Sequence, residues 1–75
     1  MAYNGWKNRE TWNCALWMAN DYGLYQTVLT SASFDAFLDT VINDYGMAST
    51  PDNVKWTDGD RDELIWCFNE LQHGD

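Results

Sequence analysis

Basic residues are scarce in this chain. Lys7, Arg9, Lys55 and Arg61 stand against twelve acidic residues, for a formal charge of −8 over 75 residues. Nucleic-acid affinity comes mainly from Lys and Arg contacts to phosphate, so this balance argues against direct binding of DNA or RNA. An anionic membrane surface repels the chain for the same reason. Long apolar runs are also missing. The longest, Ala15–Ala19 and Leu64–Phe68, fall far short of the ~20 residues that a membrane span requires. The N-terminal stretch MAYNGWKNRE lacks the apolar centre of a secretory signal. Cys14 and Cys67 match no metal-ligand spacing and are too few for a disulfide framework. Both sit in apolar surroundings, as buried free thiols of a reducing compartment do. The expectation is a cytoplasmic protein of one domain over residues 1–75, with no cofactor, no metal and no membrane partner.

What the chain does have is aromatic side chains: five Trp, four Tyr and three Phe, 16% of its residues. That content excludes disordered and low-complexity classes. A domain this small buries a limited share of its surface, so most of these rings are needed for its core. Charge is unevenly placed. Residues 1–20 carry Lys7, Arg9 and Glu10, while all but one of the acids follow in residues 21–75. A partner with a basic surface, or solubility alone, fits that distribution.

Periodicity predicts an all-α fold, a compact bundle of about four short helices. Asn4-Gly5 is a turn signal and Asn8 an N-cap, with Glu10 where the helix dipole favours an acid. Trp12, Ala15, Leu16 and Ala19 form the apolar stripe of the first helix, widened by Cys14, Trp17 and Met18. It ends near Asp21, ahead of Gly23. Leu24, Val28 and Leu29 suggest a second helix, although β-branched Thr27, Val28 and Thr30 also suit extended chain. Ser33 caps a third, whose stripe runs through Phe34, Phe37, Leu38, Val41, Ile42 and Tyr45 to a stop at Gly46. Thr50 and Pro51 occupy the N-cap and first positions of a predicted short helical turn, with Trp56 as its anchor. A last helix restarts at Thr57–Asp60, carries Leu64, Cys67, Phe68 and Leu71 inward, and frays at 73–75.

The candidate sites are weighed on their chemistry. Asp58, Asp60 and Asp62 start like a calcium loop, but Glu63 stands where that loop needs glycine and Asn69 where it needs glutamate. Acids at a helix N-terminus account for them better. His73, the one histidine, lies too near the chain end to be held for catalysis. No nucleophile, metal-hydrolase or phosphate-loop motif is present. Asp35 and Asp39 sit opposite the apolar stripe, as a solvated face does. The expectation is a protein that is not an enzyme. Two binding readings remain open. In one, Trp6, flanked by Lys7 and Arg9, is an interface anchor, with acidic helices meeting a basic surface. In the other, Asp35, Asp39, Asp58, Asp60, Asp62 and Glu63 present charge as DNA phosphates would, occupying a nucleic-acid-binding protein. For the N-terminal aromatics themselves, a structural role competes with both. Trp6 folds back on the first turn, and Thr11, Asn13 and Asn20 satisfy indole edges or helix ends.

The segment from Asn4 to Asp21 also carries a resemblance. Asn4, Gly5, Trp6, Asn8, Glu10, Thr11, Trp12, Leu16, Trp17, Asn20 and Asp21 fill every fixed position of N-G-W-x-N-x-E-T-W-x-x-x-L-W-x-x-N-D. This pattern is similar to the N-terminal signature of small, largely uncharacterised proteins encoded by bacteriophages and plasmids. Val54-Lys55-Trp56 resembles a V-x-W element nearer their C-termini. The resemblance implies a phage-type accessory protein in a bacterial cytoplasm, and the expectation for this chain is a monomer or weak homodimer that modulates a host or phage protein. It implies no activity.

Overall fold

The structure, a computed structural model, describes residues 5–74. Four α-helices carry the fold: α1 (Arg9–Asn20), α2 (Tyr22–Thr30), α3 (Phe34–Asp39) and α4 (Arg61–Gln72). A π-helical turn (Thr40–Asp44) extends α3, and a 3-10 turn (Trp56–Asp58) precedes α4. An isolated antiparallel bridge joins Ser49 to Lys55, and no strand forms among the described residues. The all-α expectation holds.

Side chains set the helix boundaries. Asn8 caps α1, its Oδ1 accepting from Thr11 N at 2.8 Å. Asp21 ends α1 and also caps α2, accepting from Leu24 N at 3.0 Å. One residue thus turns the chain between two helices. Ser33 caps α3 and Asp60 caps α4. Each cap occupies one of the backbone donors that a helix N-terminus leaves unpaired. At the far end of α2, Gln72 Nε2 donates to the Val28 and Ser31 carbonyls at 2.9 and 2.6 Å. The end of α4 therefore closes the end of α2.

The core joins all four helices. Cys14 and Met18 of α1, Val28 of α2, Phe37 of α3 and Leu64 and Phe68 of α4 are buried around Trp56. Phe37 lies edge-on to Trp56, with ring centroids 5.8 Å apart and planes at 89°. Phe34, Phe37 and Phe68 make a second aromatic cluster with centroids 6.0–6.1 Å apart. Such pairs add about 0.5–1.5 kcal/mol each beyond the burial of their area. Both cysteines are buried and free, and burial pushes the Cys14 thiol up to about 12 and Cys67 to about 11. For Cys14 the charges of Asp58 and Glu10 add to that shift.

Five sequence expectations change in the structure, the first on α2, where Leu29 is exposed and Thr27 is buried instead, its hydroxyl paired with the Gly23 carbonyl and the Tyr45 hydroxyl. The buried face of α1 is Thr11, Asn13, Cys14, Ala15 and Met18, while Ala19 is exposed and Trp12 and Leu16 are half-buried. An apolar stripe ignores polar side chains, and here Thr11 and Asn13 bring their hydrogen-bond partners into the core with them. The third helix is not uniform. Its π turn, closed by Tyr45 N to Thr40 O at 3.0 Å, adds a residue and swings Tyr45 out to 56% exposure. The Tyr45 hydroxyl then meets Thr27 Oγ1 at 2.8 Å.

The segment after Thr50 is a β-turn and not a helical one. Asn53 N bonds to Thr50 O at 2.7 Å, Thr50 N bonds to Val54 O at 2.8 Å, and Asn53 takes φ +68°. The capping hydroxyl is drawn elsewhere: Thr50 Oγ1 donates to Asn13 Oδ1 on α1 at 2.6 Å. The last helix begins later than its acids suggest. Gly59 interrupts it, in a passage so tight that a Cβ there would lie 2.8 Å from Leu64 Cδ1 and 3.3 Å from Thr11 Cα. Among the described residues no helix is long and apolar enough to cross a membrane.

Candidate functional site: an acid-edged tryptophan cleft

The N-terminal segment meets α4 in an open cleft of about 560 Å³, lined by Gly5, Trp6, Asp62, Glu63 and Trp66. Gly5 permits the entry, because its φ of +89° belongs to the left-handed region where a Cβ is strained. Trp6 is half-buried and packs on the core edge. Its ring meets Trp66 in an edge-to-face pair, with centroids 6.2 Å apart and planes at 64°. Trp66 remains 59% exposed. The segment is held from below by the Lys7 backbone N–H, which donates to Glu63 Oε1 at 2.7 Å. The Lys7 ammonium reaches outward to Asp60 at 3.4 Å. Asp62 lines the cleft too and has no hydrogen bond or ion pair among the described residues.

Residues far apart in sequence are therefore united here. Trp6, Lys7, Asp60, Asp62 and Glu63, singled out separately, form one patch. Trp66 is the residue that sequence reasoning missed. It falls off the inward stripe of Leu64, Cys67, Phe68 and Leu71, and a tryptophan on the outward face of an amphipathic helix was the available signal.

The other candidates lie elsewhere. Asp35 pairs with Arg61 at 2.7 Å, whose guanidinium also sits over the Phe34 ring, 5.8 Å from its centroid. Asp39 accepts from Asn43 Nδ2 at 2.6 Å on its own helix. Asp58 is exposed in the 3-10 turn. Asp60 is used as the α4 cap, so the calcium-like acids do not converge, and no metal-binding group of three or more His, Cys, Asp or Glu occurs among the described residues. Arg9, exposed at the start of α1, contributes its charge to Asp52.

The signature residues build the frame behind the cleft. Asn4 lies outside the described residues. Thr11 joins two caps: its hydroxyl donates to Asn8 Oδ1 at 2.6 Å and accepts from Asp60 N at 2.7 Å. Trp17 Nε1 and Asn13 Nδ2 both donate to Asp52 Oδ2, at 3.0 and 2.8 Å. The turn at 50–54 is thereby clipped to α1. Glu10 serves the first turn of α1, and Trp12 is half-buried along it. Leu16, Trp17, Asn20 and Asp21 edge a smaller hollow of about 330 Å³ beside Tyr22.

The clip on Asp52 carries a pH prediction. The hydrogen bonds from Asn13 and then Trp17, with the Arg9 charge, hold its pKa below the usual 3.8. A carboxyl whose folded pKa is depressed stabilises the fold fully above its unfolded value and loses that contribution as pH falls below it. Thermal melts from about pH 5 to about pH 2.5 are expected to show Asp52→Asn losing less stability on the acid side than the wild type. Parallel curves would remove Asp52 from the clip.

No curated protein and no solved structure matches this chain. A family model does, over residues 1–66, a span that takes in the signature segment, the Asp52 clip and every residue lining the cleft. The chain belongs to this family of unknown function, DUF7249.

Proposed function

We propose that this chain is a phage-type accessory protein that binds another protein, of host or phage origin, through the Trp6–Trp66 cleft. The observation that carries this reading is Trp66: a tryptophan 59% exposed, paired with a second indole and bordered by carboxylates. Interfaces concentrate their binding energy in tryptophan, tyrosine and arginine seated in desolvated pockets, and exposed tryptophan at such a cleft suits that role. The net charge of −8 favours a partner whose surface is basic. The phage assignment and the bacterial cytoplasm rest on the tryptophan signature at residues 4–21. Phosphate mimicry by the acids has less support. Asp35 is neutralised by Arg61, Asp60 is engaged by Lys7 and Glu63 accepts from the Lys7 backbone N–H, which breaks up a continuous ladder.

The test is affinity capture from bacterial lysate by the wild type and by Trp66→Ala. A hot-spot tryptophan contributes upwards of about 2 kcal/mol, roughly a thirtyfold change in affinity. Its removal costs the fold one aromatic pair, about 0.5–1.5 kcal/mol, and the burial of the covered part of the ring. The expected result is a retained protein that disappears with Trp66→Ala while the variant's far-UV spectrum is unchanged. Capture that is indifferent to Trp66, or that DNA competes away, would overturn the reading.

A further inference from the structure

We propose that the cleft between Trp6 and Trp66 is an arginine-reading site, receiving one arginine side chain from a protein partner. The inference rests on the binding reading above and names the chemistry of what is bound.

Three features of the cleft converge on that group. The first is its wall. An edge-to-face pair leaves each ring at least one face clear of the other, and Trp66 is 59% exposed. A guanidinium stacks flat on such a face, within about 6 Å of the ring centroid. The second is charge. Asp62 and Glu63 both line the cleft, and Asp62 has no partner among the described residues. Among the described residues the one nearby ammonium, that of Lys7, is turned to Asp60. A cation entering here meets a carboxylate beside an indole.

The third feature is exposure, which separates arginine from lysine. The cleft is open, so a bound ion keeps contact with water. An ammonium is strongly hydrated and gains little there, whereas a guanidinium is weakly hydrated over its faces and stacks while its edge donates two parallel N–H bonds to one carboxylate. The fold already contains this arrangement once. The Arg61 guanidinium lies 5.8 Å from the Phe34 ring centroid and is held by Asp35 at 2.7 Å. In the cleft, Trp66 takes the place of Phe34 and Asp62 that of Asp35, and the arginine is supplied from outside.

The test uses three capped tripeptides, acetyl-Gly-Arg-Gly-amide and its lysine and citrulline counterparts, titrated into the full chain. Indole N–H signals in ¹H–¹⁵N spectra report each tryptophan separately. The arginine peptide is expected to shift the Trp6 and Trp66 signals and leave that of buried Trp56 in place. Lysine should bind about fivefold more weakly, and citrulline, which keeps the shape and loses the charge, at least about tenfold more weakly. Asp62→Asn should weaken the arginine peptide about fivefold or more while the chain stays folded by far-UV circular dichroism, and Trp66→Ala should abolish its effect. Equal binding of citrulline would overturn the proposal in favour of a merely apolar cleft, and equal binding of lysine would overturn the choice of arginine. Sedimentation showing a dimer that Trp66→Ala dissociates would overturn it too, with a second copy of the chain as occupant. The two readings fail separately. If Trp66→Ala loses its captured protein but no peptide moves the indoles, arginine reading falls and protein binding stands. If the arginine peptide binds and capture ignores Trp66, the reverse holds.

Discussion

Replacing Trp56 with alanine is expected to leave little folded protein at room temperature. The side chain is 1% exposed, and it is the largest of the fully buried residues. Its ring receives Phe37 edge-on at 5.8 Å, and its Nε1 donates to the Met47 carbonyl at 3.1 Å. Truncating a buried tryptophan costs about 3–5 kcal/mol, from lost transfer energy and from the cavity left behind. A domain of this length has about 4–11 kcal/mol in total. The low end of that range leaves nothing. Trp56 also ties together parts that have few other links. Through Met47 it fastens the chain beyond the π turn, and through Phe37 it fixes α3. Loss of near-UV circular dichroism and collapse of amide dispersion are the expected signs. Trp56→Phe keeps an aromatic ring and loses the hydrogen bond and one ring of the indole, so it should cost less than alanine does, about 2–3 kcal/mol. A Trp56→Ala protein that melts like the wild type would show that the core is organised differently.

Thr11→Val is expected to be the most damaging change among the polar signature residues. Valine matches the shape of threonine, so the effect isolates the hydroxyl. That hydroxyl is fully buried, donates to the α1 cap at 2.6 Å and accepts from the Asp60 backbone N–H at 2.7 Å. Without it a part-buried N–H at the start of α4 has no partner, at a cost of about 1–3 kcal/mol. In a domain of this size each kcal/mol lowers Tm by about 4–8 °C. The drop should therefore be clear in a thermal melt. Thr11→Ser, which keeps the hydroxyl, should recover most of it. The damage should also reach the cleft, because Asp60 caps the helix that presents Asp62, Glu63 and Trp66. A Trp6–Trp66 pair undisturbed in Thr11→Val would mean that the cleft is set by Gly5 and Trp6 alone.

Both predictions concern residues whose importance the sequence shows unequally. Trp56 was legible as an anchor, since an isolated tryptophan between a turn and a helix has few reasons to be outside the core. Thr11 was legible as a polar residue with something to satisfy. That its partner is the backbone of Asp60, 49 residues away, was not. Periodicity scores side chains by polarity, and α1 buries two polar ones because their partners arrive from distant loops. The same blindness misplaced the helix at Thr50, where a local capping pattern lost its hydroxyl to Asn13. The cleft was half visible. Trp6 and the acids of α4 stood out on their own, yet nothing local says that they touch, and Trp66 went unread because it fell outside the stripe.

By itself, then, the sequence determined the helical class, the caps at Asn8 and Ser33 and the inward face of α4. Those follow from interactions within a few residues: side-chain caps, apolar spacing and the helix dipole. It also determined the scarcity of cations that limits what the chain can bind. The tertiary structure alone decided the rest: the rotation of the α1 face, the π turn that expels Tyr45, and the clip on Asp52. It also decided that a segment ending at residue 7 lies against a helix beginning at residue 61. These depend on which buried donor finds which acceptor across the fold, and a buried polar group left without a partner costs too much for the chain to settle otherwise. The acid-edged tryptophan cleft belongs to this second group. Trp6 and the carboxylates are read from the chain, while the part played by Trp66 and the meeting of them all are products of the packing.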